Sequence, residues 1–340
     1  MESFACDGCD AALTAPLTRV SFPSHAHQTV GNGLLLPVLM RSGTYAVDPE
    51  PFGPPWHPWT EVDSPEAHGV YAPVPALSFG PAGAIVIAPG DARGTVLIPR
   101  QLDGGCCGLD ERSGPNLACA RCDRAVATRV DDCARWQAVW LDPGAVHRIP
   151  TDAPTSPDLV PDDVPPVDPS GEWSPRWAAE AGKALAHLVA LSSGRPVTVP
   201  DGLVATMLRH VLEALLPPGP PAKRAALAGP GLPAPDPAVD LALVPRHPWT
   251  GQPWRSPGRA DTVPLAFEIW TVLAFHRERP SIPATVDHPR DAPRPLLPRT
   301  AFRPDGGVFL HRLARLPAVR EPALRAIHDQ VSSAPYAHPF

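Results

Sequence analysis

Seven cysteines are the residues whose types and spacing could do chemistry, and four of them form two C-x2-C units, Cys6-Asp-Gly-Cys9 and Cys119-Ala-Arg-Cys122. Each unit lets one tight turn aim two thiolates at a single cation, and two units together supply the four-thiolate tetrahedral shell that zinc prefers. The units agree beyond their cysteines. CDGCDAAL and CARCDRAV share C-x2-C-D-x-A, and each then reaches Thr-Arg-Val, at residues 18–20 and 128–130. This pattern predicts two copies of one metal knuckle, each ending on an Asp that tolerates left-handed backbone and leads into a strand. The expected ligands are Cys6, Cys9, Cys119 and Cys122. Zn2+ is the expected structural metal, because a closed thiolate shell stabilises a fold and does no chemistry.

Cys106, Cys107 and Cys133 remain. Adjacent cysteines point apart in an extended backbone, so GGCCG is expected to form a glycine-rich turn beside the metal, with small buried cysteines. Asp131 and Asp132 should raise the Cys133 thiol and blunt it. The enzymatic alternative is a thiol- or metal-dependent catalyst using Cys106, Cys107 or Cys133 near the zinc, with His147 as a further candidate. Ser24-His25-Ala26-His27 has the H-x-H spacing of some metal sites, but no carboxylate motif accompanies it, and surface histidines are expected. Glu268 is a single acid on an otherwise apolar segment, expected at a helix edge. HPWT occurs twice, at residues 57–60 and 247–250.

The elements that must hold these groups fall into two unlike parts. Residues 1–150 read as strands broken by Gly and Pro turns, with a hairpin expected between residues 84–88 and 95–99 and a pair of strands around Asp142-Pro143-Gly144. Residues 151–173 are rich in proline and aspartate and read as a linker. Residues 174–340 read as mainly helical with Pro-rich loops. Ser174-Pro175 would start one helix and Asp201 would cap a second, a third would cover about 264–279, and a fourth would follow Glu321. The expected fold class is α+β, a zinc-stapled N-terminal β domain followed by a small C-terminal helical domain.

Two distant C-x2-C pairs around a β domain resemble the β-tent group, which includes the cereblon-type ligand-binding domain and the type B methionine sulfoxide reductases. The resemblance covers residues 1–150 and implies only the four zinc ligands. It departs from the reductases at DDCARW around Cys133. Trp136 and Trp140, which could stand for an aromatic cage, share one strand face and are equally explained by core packing.

The 340 residues give a net charge of −6 and 44% hydrophobic content, with no basic stripe. Nucleic acid is therefore a disfavoured partner, kept open only by Arg121, Arg124, Arg129 and Arg135. No long apolar run and no basic, apolar leader is present, so a cytoplasmic protein without membrane contact is expected. Dinucleotide, P-loop, nucleophile-elbow and HExxH motifs are absent from the sequence. The resulting expectation is a binding or accessory module, more readily than an enzyme, whose partner is an unidentified protein or small-molecule ligand.

Overall fold

The computed structural model describes residues 1–31, 33–101, 105–151, 164–275, 298–334 and 340. The chain is mixed α and β, consistent with α+β, and divides into two compact units. The first holds residues 1–69, 73–160 and 248–251, and the second holds 70–72, 161–247 and 252–340.

In the first unit, strands β1 (Glu2–Cys6), β2 (Thr18–Arg19), β3 (Thr44–Val47), β4 (Trp56–Pro58), β5 (Ala76–Ser78) and β6 (Ile85–Ile87) are followed by β7 (Thr95–Leu97), β8 (Leu117–Cys119), β9 (Ala125–Val130), β10 (Ala138–Leu141) and β11 (Val146–Pro150). Seven of them form one sheet in the order β2-β3-β6-β10-β9-β8-β7, while β1 pairs with β11 and β4 with β5. Alternate residues of the central strands feed two different cores. Tyr45, Ile85, Ile87, Val139 and Leu141 pack with Phe4, Leu13 and Leu17. Ala46, Val86, Ala138 and Trp140 pack with Leu36, Leu39 and Trp136. A sheet covered on both faces explains why its strands read as continuous apolar runs rather than alternating ones.

The expected hairpin between 84–88 and 95–99 is corrected. Both segments are strands, but β6 pairs with β3 and β10, whereas β7 pairs with β8. A 3-10 turn at Pro89–Asp91 redirects the chain between them. The strands around Asp142 also form, with β10 bound to β6 and β9 and β11 bound to β1.

In the second unit, α1 (Pro175–Leu191), β12 (Val197–Thr198), α2 (Leu203–Leu215), β13 (Lys223–Leu227), β14 (Leu241–Pro245) and β15 (Asp261–Leu265) precede α3 (Phe267–Phe275), α4 (Gly306–Ala314) and α5 (Pro322–Ser333). Where a mainly helical region is expected, β12-β13-β14-β15 form a four-stranded parallel sheet. The third helix is shorter at its start than its pattern suggests, because Thr262-Val263-Pro264 pairs with β14 as an edge strand, where proline is tolerated. Its expected tail at 276–279 lies outside the described residues, as does most of the expected linker, residues 152–163.

Helix α1 begins at Pro175 after Ser174, although the serine side chain makes no capping bond. Helix α2 is capped at Gly202, because the expected cap, Asp201, pairs with Arg209 instead. Helix α4 has no counterpart among the sequence-read helices. Its cap is Asp305, whose side chain accepts the Val308 N–H at 2.8 Å. Gly182 makes the approach of α1 to this cap possible, since a Cβ there would lie 2.4 Å from the Asp305 carbonyl oxygen. Within α1, buried Glu180 accepts the Ala266 N–H at 2.7 Å and faces Arg246 at 3.4 Å, tying the helix to the ends of β14 and β15.

Candidate metal centre

The knuckles are built by backbone hydrogen bonds repeated at matching positions. In the first, the Cys6 carbonyl accepts the Asp10 N–H at 2.9 Å, and Cys6 N–H donates to Ala11 at 2.9 Å. In the second, the Cys119 carbonyl accepts Asp123 N–H at 2.9 Å, and Cys119 N–H donates to Arg124 at 2.8 Å. Both Asp residues are left-handed, each with φ of 58°, as the sequence pattern requires. Strand β1 delivers the first knuckle and the β8–β9 turn delivers the second.

The structure brings Cys6, Cys9, Cys119 and Cys122 together, their sulfurs all within 4.8 Å of one another, a group that could hold a metal ion. Cys6 faces Cys122 and Cys9 faces Cys119, each pair at 3.6 Å. Cys6 and Cys119 are buried at the margin of the Phe4–Tyr45 core, while Cys122 is exposed. Burial pushes the Cys6 thiol up. At Cys119 burial also acts upward, but the backbone N–H groups of Arg121 and Cys122 outweigh it and bring the thiol down to about 7. Cys119 is thus the readiest of the two buried thiols to give a thiolate ligand.

The other three cysteines also converge, which the sequence reading did not anticipate. Cys106 Sγ lies 3.6 Å from Cys107 Sγ and 3.0 Å from Cys133 Sγ, and with Asp132 they form a second group able to hold a metal ion. The expectation that adjacent cysteines point apart assumed extended backbone; here they lie in a turn. Cys106 and Cys107 are exposed rather than buried, and only Cys133 is buried. The expected raising of the Cys133 thiol is reversed. Its hydrogen bond with Cys106, and next the Gly33 backbone N–H, lower it despite the small opposing effect of Asp132. Cys106 is pushed up to about 12, chiefly by its contact with Cys133 and then by that with Cys107.

This second group does not sit beside the first. Cys122 precedes β9 and Cys133 follows it, so the six-residue strand, about 20 Å long at ~3.3 Å per residue, lies between the knuckle turn and the second group. His147, the candidate partner of the thiols, lies instead by the first knuckle, 3.4 Å from Asp10 and 3.8 Å from Asp7.

The remaining candidates are structural in their surroundings. His25 packs on Trp136 with ring centroids 4.4 Å apart, and His27 pairs with Asp48 at 3.0 Å while stacking on Trp140. His25 is buried in the aromatic core rather than on the surface, while His27 stays half-buried at its edge. Trp136 and Trp140 are both buried, and Phe52 stacks on Trp140 at 4.1 Å. Glu268 stands in the first turn of α3, its carboxyl pushed up by burial. The four arginines are engaged by the protein itself. Arg121 donates to the Cys9 carbonyl, and Arg124, Arg129 and Arg135 pair with Asp7, Asp131 and Glu111. No helix among the described residues is long and apolar enough to cross a membrane. No protein-family model, curated protein or solved structure matches the chain.

Proposed function

We propose that this is a cytoplasmic binding or accessory protein whose first unit, a β-tent-like domain, is stapled by one structural zinc held by Cys6, Cys9, Cys119 and Cys122. The observation that carries this reading is the matched pair of knuckles. Two turns with the same hydrogen-bond pattern present four sulfurs, and the 3.6 Å spacing of the facing pairs is close to the ~3.8 Å edge of a tetrahedron with zinc–sulfur bonds of about 2.3 Å. Four thiolates close the shell, so the metal has no open position for substrate and its role is to tie β1 to the β8–β9 turn.

Binding by this unit is supported by the exposed aromatics beside the antiparallel β4–β5 pair. Trp56 is 38% and Phe79 37% exposed, with the His57 and His68 rings packed on Phe79. Exposed aromatics of this kind commonly anchor a protein or small-molecule ligand. A second reading, a thiol- or metal-dependent enzyme, is favoured by one observation, the convergence of Cys106, Cys107 and Cys133. Nucleic-acid binding is further disfavoured by the pairing of Arg124, Arg129 and Arg135 with carboxylates.

The test is elemental analysis of the full chain purified without added metal, in wild type and in Cys122→Ser. Loss of zinc in the variant supports the staple. Wild-type protein free of zinc, or zinc retained in full by the variant, defeats it.

A further inference from the structure

We infer that Cys106, Cys107, Cys133 and Asp132 form a second metal site, separate from the knuckles, for a thiophilic divalent cation of the zinc class. Three sulfurs and a carboxylate, drawn from two segments 25 to 27 positions apart, lie within 4.8 Å of one another. A disulfide between Cys106 and Cys133 would use two of these sulfurs and leave Cys107 idle. A single cation uses all three, and soft thiolates select zinc-like metals over hard ones.

The surrounding chain is shaped to bring these groups together. Asp132 accepts the Cys107 N–H at 2.7 Å and the Cys106 N–H at 3.3 Å, one on each carboxylate oxygen. The Cys133 and Gly108 backbone N–H groups also act on this carboxylate, which orients the cysteine turn while one of its oxygens lies within 4.8 Å of the three sulfurs. Asp131 accepts the Leu109 N–H at 2.8 Å, while the Leu109 carbonyl accepts the N–H groups of Asp131 and Asp132. Gly105 is required where it stands, because a Cβ there would lie 2.2 Å from the Asp132 carboxyl carbon. Gly105 and Gly108 therefore allow the turn to seat directly on Asp131 and Asp132.

The resulting shell is partly open. Cys106 and Cys107 are exposed while Cys133 and Asp132 are buried, so a bound cation would be reached from the solvent side of the turn. Binding would displace the thiol protons to solvent and fasten the 105–109 turn to the end of β9.

The experiment is zinc content per chain in the full-length protein, measured for wild type, Cys122→Ser and the double variant Cys106→Ser/Cys107→Ser. The double variant removes two exposed ligands and opens no cavity. Two zinc ions in wild type and one in each variant is the expected result. Cobalt substitution should show thiolate-to-metal absorption in Cys122→Ser that the double variant, combined with Cys122→Ser, lacks.

Zinc content unchanged by the double variant would overturn the inference, as would a wild-type mass under non-reducing conditions lighter by one pair of hydrogens, the mark of a Cys106–Cys133 disulfide. A single zinc lost in the double variant but kept in Cys122→Ser would sustain this site and refute the knuckle reading. The two proposals therefore fail separately.

Discussion

Replacing Cys122 by serine isolates the value of a metal held by the knuckles, because the Cys122 side chain is exposed and its loss leaves no core cavity. A metal held there would join two points far apart in the chain, with Cys9 and Cys119 separated by 110 positions. Closing a loop of about 100 residues restricts the unfolded chain by roughly 4.7 kcal/mol in the chain-entropy model. That is comparable to a large part of the ~5–15 kcal/mol that holds an ordinary domain folded. At about 2–4 °C per kcal/mol for a unit of this size, the variant should melt some 10–20 °C below the zinc-loaded wild type. Calorimetry on wild type, wild type stripped with a chelator, and Cys122→Ser would read this directly. Wild type and Cys122→Ser, both stripped, should melt together, and added zinc should restore the knuckle-dependent stability only in wild type. A zinc-loaded wild type whose melting moves by less than about 2 °C on stripping would refute the cross-link, since it would mean a gain below ~1 kcal/mol.

Trp140→Ala, which empties a buried site stacked by Phe52 and His27, should cost about 3–5 kcal/mol in chemical denaturation; a cost below ~1 kcal/mol would show that this core closes over the gap. Asp305→Ala removes the α4 cap and should lower the stability of the second unit by about 1 kcal/mol, with no change in metal content. His187 is lowered to about 3, from an ordinary 6.5, chiefly by burial and then by Arg312, whose Nε donates to it at 3.1 Å. The unfolded chain therefore binds the extra proton between those values, so stability should fall as pH drops from 6.5 toward 3. Urea midpoints at two pH values within that window should diverge more in wild type than in His187→Leu, and equal divergence would discount the histidine. Gly105→Ala should push the cysteine turn off Asp132, abolish the second metal and leave the first in place.

The knuckles were legible because their geometry is local. A C-x2-C-D stretch carries its own turn, its own left-handed residue and its own hydrogen bonds, so five residues specify the structure wherever the chain places it. The thiol trio was hidden because its defining contact is not local: Cys106 meets Cys133 across 27 positions, and only the glycines of GGCCG signal that something must come close. The same distinction separates the strands from their pairing. The β-branched run at residues 85–87 identifies a strand, but its partners β3 and β10 are decided by which faces the two cores cover. In the second unit, short apolar runs such as LALVP are ambiguous between buried strand and helix, and Asp261–Leu265 runs without a break into helical periodicity. Proline at position 264 fits the first turn of a helix as well as it fits an edge strand.

Strand β9 lies inside the seven-stranded sheet, with β8 and β10 on its two sides and a cysteine cluster at each end. Most strands can fray from a free terminus, opening by small steps that expose a few amides at a time. Both ends of β9 are fastened when the two clusters are loaded, so its amides can exchange with solvent only through opening of the sheet as a whole. Its hydrogen-exchange protection should therefore approach the global unfolding free energy of the unit, and it should drop first at the Val130 end when the Cys106–Cys107 turn is released.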